Sequence, residues 1–196
     1  MPNTTNGNPV PSDVTLIAGS DGSNVRTIIT DTSGNLVASS VGYKAAVSIT
    51  RPANTTAYTA GDALGAAAAA ITFPSMGPSA GGEVMITSAS LEADVTSIPA
   101  GMTYFTLYLY NVTPPSAYAD NAAWDLPSGD RASFLGSINL QTPVDLGSTL
   151  YIEVNGINKQ ITLASGSLFG YLVTAAGFTP AGNSEVYKVT LHTVGV

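Results

Sequence analysis

The residues that could support catalysis or metal binding are few and lie far apart in the 196-residue chain. His192 is the only histidine and there is no cysteine, so one chain offers neither a thiolate nucleophile nor a multi-histidine metal site. The one G-x-S-x-G match, Gly77–Gly81, is followed by a predicted strand and not by the helix of a nucleophile elbow, so no segment indicates an activated serine. Alternation in the last predicted strand places His192 on an outward face. We therefore expect a surface histidine, no catalytic residue and no cofactor.

Two groups of carboxylates are the remaining candidates. Glu92 and Asp94 are two residues apart in a predicted strand, and such side chains share a face about 6–7 Å apart, a separation suited to glycoside hydrolysis. Both lie at the strand end, where solvated acids are common, so we favour a structural role. Asp120, Asp125 and Asp130 recur in the loop ADNAAWDLPSGD and could offer oxygen ligands to Ca²⁺. Their spacing does not match an EF-hand loop, and we favour turn stabilisation.

The composition excludes several classes of partner. Only 10% of residues are charged, with 6 basic against 13 acidic side chains and a net charge of −7. So few basic residues cannot neutralise a phosphate backbone or form a polybasic membrane patch, and no apolar run is long enough to span a bilayer. The N-terminal residues lack the charged and apolar regions of a secretory signal. We predict no nucleic-acid partner and no membrane partner.

The surface that these residues must form is polar but nearly uncharged. Apolar residues make up 44% of the chain, the mean hydropathy is +0.24, and Ser, Thr, Asn and Gly take the place of charge. Burying hydroxyl groups costs far less than burying ionised groups, so this surface suits contact with other subunits. We expect a stable oligomer; a monomeric β-domain with a neutral polar face is the alternative.

The spacing of Gly, Pro and alternating apolar residues predicts an all-β protein. Eight principal strands are expected, at 43–50, 63–73, 83–94, 104–112, 133–140, 149–154, 168–175 and 185–194. The run Ala66–Ala70 within the second strand also suits a helical turn, and Asn155-Gly156 predicts a hairpin turn before a short strand over Lys159–Leu163. Eight antiparallel strands with one long crossover predict a jelly-roll sandwich over 43–196. A nine-stranded immunoglobulin-like sandwich is the alternative.

Residues 1–42 are predicted to form a separate N-terminal arm of short β-ribbons. Three short strands cannot bury a core by themselves, so the arm is expected to attach to a larger body. Its candidate interface residues are Val14, Leu16, Ile17, Val25, Arg26 and Ile28.

A second candidate interface lies on the strand over 104–112. Phe105, Leu107 and Leu109 would face the core, which leaves Tyr104, Tyr108 and Tyr110 on the outer face. Such a row suits a subunit interface, a ligand platform or cross-strand packing.

Several segments resemble bacteriophage virion proteins. Leu16–Val37 resembles a G-S-D-G-x-N-x-R…D-x-S-G-x-L segment found near the start of phage structural proteins. Val47–Gly65 resembles the R-P-x-x-T-x-x-Y-x-x-G-D start of a phage head-associated family. In that family, as here, a D-N-A-x-x-D-L-P-S-G-D loop (Asp120–Asp130) and a P-V-D-L-G-S segment (Pro143–Ser148) follow.

The resemblance implies a jelly-roll capsid decoration (cement) protein, without an active site. Such a protein would be made in the host cytoplasm and would bind the major capsid protein on the virion surface as a homotrimer. The tail fibre or receptor-binding head domain of a phage virion is the alternative.

Overall fold

A computed structural model of the protein describes residues 41–65 and 68–196 and, before residue 41, only the backbone of four short strands. Contacts divide the chain into two compact units, Met1–Ser39 and Ser40–Val196. In the first unit, β1 (Thr4–Thr5) pairs with β2 (Asn8–Pro9), and β3 (Ala18–Ser20) pairs with β4 (Val25–Thr27).

Most of the predicted arm interface lies outside the described residues. The candidates outside the described residues are Val14, Leu16, Ile17 and Ile28. The other two, Val25 and Arg26, lie in β4, for which the backbone alone is described. The attachment role of the arm therefore stays a prediction.

The second unit contains ten strands, and no helix occurs in its described residues. The strands are β5 (Gly42–Thr50), β6 (Ala63–Leu64), β7 (Ile71–Phe73), β8 (Gly82–Ala93), β9 (Phe105–Tyr110), β10 (Phe134–Leu140), β11 (Val144–Asp145), β12 (Leu150–Leu163), β13 (Leu168–Thr174) and β14 (Val186–Gly195). Nowhere in the described part of the chain is there a helix long and apolar enough to cross a membrane.

The strands form two antiparallel sheets. One, the β8 sheet, has the order β11-β12-β8-β14-β5; the other, the β9 sheet, has the order β10-β9-β13-β6, with β7 also paired to β13. If β6 and β7 are counted as one interrupted strand and the two-residue β11 is set aside, eight strands remain. Each sheet then combines early and late strands, as in two interlocked Greek keys. This order confirms the predicted all-β jelly roll.

The core lies between the two sheets and follows the predicted alternation in three strands. In β9, Phe105, Leu107 and Leu109 are buried, and in β5 the inward side chains include Ala45 and Ile49. In β14, the inward side chains Tyr187, Val189 and Leu191 are fully buried. Apolar side chains at every second position are driven to one face by the free energy of removing them from water.

Strict alternation over the predicted strand 83–94 places Ala89 and Leu91 on one face and Val84 and Ile86 on the other, and this expectation is wrong in the first half of β8. Val84 and Ile86 are buried in the core together with Ala89 and Leu91, although the two pairs were expected on opposite faces. The register explains this: Ser88 pairs with His192 and Ile86 with Thr193, so Thr87 is an extra residue opposite β14. This β-bulge reverses the facing of every residue that precedes it.

Two further predicted elements differ from the structure. Asn155-Gly156 is not a hairpin turn, because β12 continues through it and pairs with β8 on both sides, from Asn155↔Ser88 to Lys159↔Ile86. The residues between form a second irregularity, which accommodates the positive φ of 70° at Gly156. The strand predicted over 63–73 is interrupted between β6 and β7.

The register also shows which loops lie together. Thr50 pairs with Val186, Leu150 with Ala93, and Phe105 with both Leu140 and Thr174. The loops over 51–62, 94–104, 141–149 and 175–185 therefore emerge at the same end of the sandwich. We call this the four-loop end.

Candidate functional site

The four-loop end is closely packed at the level of the backbone. Gly101 has a φ of 89°, and a Cβ atom at this position would collide with the carbonyl oxygen of Gly177. A Cβ atom at Gly177 would in turn lie 2.9 Å from the carbonyl oxygen of Tyr58. Three loops thus touch where only glycine fits, which makes this end of the domain a firmly held surface.

A buried ion cluster ties two of these loops to the long loop over 111–133. The guanidinium group of Arg51 is fully buried and lies 3.7 Å from a carboxylate oxygen of Glu185 and 3.9 Å from one of Asp120. Its Nε donates a hydrogen bond to the hydroxyl of Tyr58 at 2.5 Å. The same tyrosine donates to Asp120, also at 2.5 Å.

The carboxylates of this cluster have further hydrogen-bond donors. Asp120 accepts from the backbone N–H of Gly65 (3.1 Å), and Glu185 accepts from the Tyr187 hydroxyl (3.0 Å) and the Gly182 N–H (2.8 Å). Burial, and then the contact with Asp120, raises the pKa of Tyr58 above its usual range; burial beside Glu185 does the same for Tyr187. Both tyrosines therefore stay protonated and keep donating. This network stabilises the loops and leaves no reactive group exposed.

The three aspartates of the ADNAAWDLPSGD loop do not converge on a cation. Asp120 belongs to the Arg51 cluster, Asp130 is buried and accepts a hydrogen bond from the Ser116 N–H (3.3 Å), and Asp125 is exposed. Among the described residues, no group of three His, Cys, Asp or Glu side chains could hold a metal ion. The side chains of Asp120 and Asp130 thus bond to residues distant in the chain, which is a structural role different from the turn stabilisation expected for this loop.

The predicted tyrosine row is largely covered by the chain itself. Trp124, from the loop over 111–133, stacks on Tyr108 with ring centroids 3.5 Å apart and planes 8° apart. Tyr110 is fully buried, 5.4 Å from Phe134 and 6.2 Å from Tyr171 between ring centroids. These contacts make Tyr108 and Tyr110 part of a second, aromatic core on the outer face of the β9 sheet. The tyrosines do lie on the outer face, but Tyr108 and Tyr110 pack against the chain's own aromatic rings, as in the packing alternative, and only Tyr104, just before β9, is 45% exposed.

The four-loop end carries a different exposed apolar group, which we call the apolar rim. It consists of Ile98, Tyr104, Val144 and Leu146, with 38%, 45%, 60% and 63% of their surfaces exposed. All four lie in the loops over 94–104 and 141–149. Sequence reasoning missed Val144 and Leu146 because the P-V-D-L-G-S segment was noted only for its resemblance.

The remaining candidates, Glu92 and His192, lie on the outer face of the β8 sheet. Glu92 forms an ion pair with Lys188, with Nζ 3.1 and 3.0 Å from its two oxygens. Asp94 lies beyond the end of β8 and is exposed. His192 is half-buried and is paired across the sheet with Lys44 and Ser88. The neighbour of Glu92 is thus the cation of Lys188 and not the carboxylate of Asp94, which was considered as its partner in glycoside hydrolysis.

Comparisons with known proteins return distant structural likenesses. The chain is similar to a chain of the native virion of Kashmir bee virus at acidic pH (13% identity, 98% of this chain and 94% of that chain, TM-score 0.32). It is also similar to chains of the Israeli acute paralysis virus full particle (13%, 98% and 94%, TM-score 0.30) and of Mud Crab Dicistrovirus (16%, 98% and 91%, TM-score 0.24). No protein-family model and no curated protein matches the chain. The fold assignment rests on the strand order of the two sheets.

Proposed function

We propose that this protein is a virion structural protein, and specifically a bacteriophage capsid decoration protein. In this role, residues 1–39 attach to the major capsid protein and the jelly roll of residues 40–196 associates with other copies. The protein acts by binding and bridging capsid subunits rather than by catalysis.

The observation that carries the proposal is the apolar rim. Four large apolar side chains are exposed on two loops of the four-loop end, and the loop over 94–104, which carries two of them, is held by the close contact of Gly101 with Gly177. An exposed apolar surface of this kind is typical of one that becomes buried in an assembly. With only 10% of residues charged, few ionised groups would have to be removed from water when the surfaces of two copies meet.

The separate N-terminal unit supports the other half of the proposal. Its described strands are two or three residues long and pair only in twos. Two-stranded ribbons of this length are not independently stable, and strand addition to a partner would supply the missing hydrogen bonds. The segment resemblances to phage virion proteins agree with a capsid as that partner.

The experiment is decoration of phage heads that lack this protein. We expect the purified chain to bind them in a copy number comparable with that of the major capsid protein. The double variant Val144→Ser and Leu146→Ser should bind with lower occupancy, whereas Val112→Ser, an exposed valine outside the four-loop end, should bind normally. A few copies per particle, located at the tail, would instead identify a tail protein and refute the proposal.

A further inference from the structure

The outer face of the β8 sheet contains a polar depression that the proposed assembly role does not use. Its volume is about 360 Å³, and it lies across four neighbouring strands, β5, β14, β8 and β12. The depression is open to solvent. We call it the polar trough.

The register of the strands explains why a trough forms. One row of outward side chains crosses the sheet as Ala46, Thr190, Ser90 and Glu153. The row on one side begins with Lys44, His192 and Ser88, and the row on the other contains Lys188, Glu92 and Tyr151.

The central row is short where its neighbours are long. Ala46, Thr190 and Ser90 form a low floor, and Thr190 is only 5% exposed although it points away from the core. Lysine, histidine, glutamate and tyrosine side chains stand on both sides of this floor. Four strands about 4.8 Å apart give a trough about 14 Å long from β5 to β12, which suits a short extended ligand.

The lining offers both hydrogen-bond donors and acceptors without a net charge. Two lysines balance Glu92 and Glu153, and Ser88, Ser90 and Thr190 add hydroxyl groups. The ion pair between Lys188 and Glu92 fixes one wall. A ligand with many hydroxyl groups and no charge can bond to every member of this set, because a hydroxyl group both donates and accepts.

Tyr151 provides the one phenol ring in the lining. It is half-exposed and pairs across the sheet with Glu92, so a ring face and a carboxylate lie side by side. Burial, and then the nearby Glu153, raises the pKa of Tyr151, so its hydroxyl remains a donor at neutral pH. This pairing of an aromatic side chain with polar groups suits the two faces of a sugar ring, one apolar and one rich in hydroxyls.

We propose that the polar trough is a binding site for a neutral oligosaccharide. The ligand would lie across the strands over the floor of Ala46, Thr190 and Ser90, and one sugar ring would pack on Tyr151. The site adjoins one end of the apolar rim, since Tyr151 pairs across the sheet with Val144, but its lining lies on the strands of the β8 sheet and contains no residue of the rim.

The test is titration of the full-length ¹⁵N-labelled protein with maltotetraose, cellotetraose and chitotetraose, followed by NMR. We expect at least one of these neutral sugars to shift the amide signals of Ser90, Thr190 and Tyr151. Absence of binding by all three at millimolar concentration would overturn the proposal, as would shifts confined to another surface. Preferential binding of a sulfated oligosaccharide or of an acidic peptide would overturn the assigned ligand class.

Variants then locate the contact. Tyr151→Ala should weaken binding by about tenfold, whereas Tyr104→Ala, which removes a more exposed ring from the apolar rim, should leave it unchanged. Thr190→Val keeps the shape of the floor but removes its hydroxyl, and it should also weaken binding. Circular dichroism melts would confirm that each variant is folded. Equal affinities of the wild type and both trough variants would contradict the assignment.

Discussion

At the scale of single residues, Arg51 is the clearest case of a charge that the fold depends on. Its guanidinium group is buried between Glu185 and Asp120, and it is the one cation in that cluster. Removing one member of a buried ionic group leaves its partners as uncompensated buried charges, which is far more harmful than losing an exposed pair.

We therefore expect Arg51→Met to lower the free energy of unfolding by about 3 to 5 kcal/mol. The control is Lys188→Met, which breaks the partly exposed pair with Glu92 and should cost no more than about 1 kcal/mol. Urea denaturation followed by tryptophan fluorescence measures both. If the two variants lose similar stability, the Arg51 cluster is not the structural element described here.

A second residue-scale prediction concerns Tyr110. Its hydroxyl is buried beside Nε1 of Trp124, but neither atom has a hydrogen-bond partner of ordinary geometry, and burial raises the pKa of Tyr110 from 10.0 to about 12. Tyr110→Phe removes an unpaired polar group while keeping the ring, so we expect it to be neutral or to stabilise the protein by about 1 kcal/mol.

The raised pKa of Tyr110 also makes the stability of the protein depend on pH. The folded state retains the phenol proton of Tyr110 more strongly than the unfolded state does. The contribution of the protonated Tyr110 to the free energy of unfolding is therefore intact below pH 10 and is lost as the pH rises towards about 12. The wild type should therefore lose stability more steeply than Tyr110→Phe across this window. Parallel slopes in denaturation experiments from neutral pH upwards would contradict the assignment.

At the scale of elements, the loop over 111–133 behaves as part of the fold. Trp124 stacks on Tyr108, and the backbone N–H groups of Ala63 and Trp124 bond to the carbonyl oxygens of Ala122 and Gly61, which fastens the loop beside β6. The loop thus covers the aromatic face of the β9 sheet, which would otherwise be exposed to water.

Replacing Trp124 with alanine should expose that face. We expect a loss of about 1 to 3 kcal/mol in the free energy of unfolding and increased binding of the dye ANS, because a stacked ring and its buried area are lost together. Trp124→Phe, which keeps a ring over Tyr108, serves as the control and should retain most of the stability. Unchanged dye binding by the alanine variant would show that the loop does not protect this face.

The elements also show how far the sequence predicts the fold. Alternation was sufficient for the core-facing side chains of β5, β9 and β14, because each of these strands runs without interruption, but it did not show that the outer face of β9 is covered by the loop over 111–133. It failed in β8 at Thr87, since a bulge depends on the register of neighbouring strands rather than on local residue types. It failed again at Asn155-Gly156, where a pair of residues typical of a turn lies inside β12.

The candidate sites were harder to predict because their residues are brought together by strands and loops that are distant in the chain. Asp120 is 69 residues after Arg51, and no local pattern indicates that they meet. Glu92 was considered together with Asp94, its neighbour in the chain, whereas the sheet places it beside Tyr151 and Lys188. Contacts of this kind depend on the order and register of the strands. The sequence predicts the class of fold but not that order or register.

At the scale of the whole molecule, the two units should be separable. The contact boundary lies between Ser39 and Ser40, and the carbonyl oxygen of Val41 accepts a hydrogen bond from the N–H of Gly195. A truncation should therefore begin at residue 40, slightly before the boundary at 42 expected from the sequence. We expect the 40–196 fragment to be a soluble β-domain that melts cooperatively but no longer decorates capsids.

Full decoration by the fragment would place the attachment surface in the jelly roll instead. Self-association is tested separately by the mass of the full-length protein in solution. The expected trimer of 19.9 kDa chains has a mass of about 60 kDa, which light scattering would measure. A particle near the mass of one chain would contradict the trimer.

The position of β14 has a consequence for the order of events during protein synthesis. This strand comes last among the strands of the domain, yet it lies between β8 and β5 and holds them together. A nascent chain that has not yet emerged as far as Gly195 has two unpaired strand edges and an open core. The β8 sheet can therefore close only after β14 has emerged from the ribosome, and until then the unpaired edges of β8 and β5 are open to aggregation.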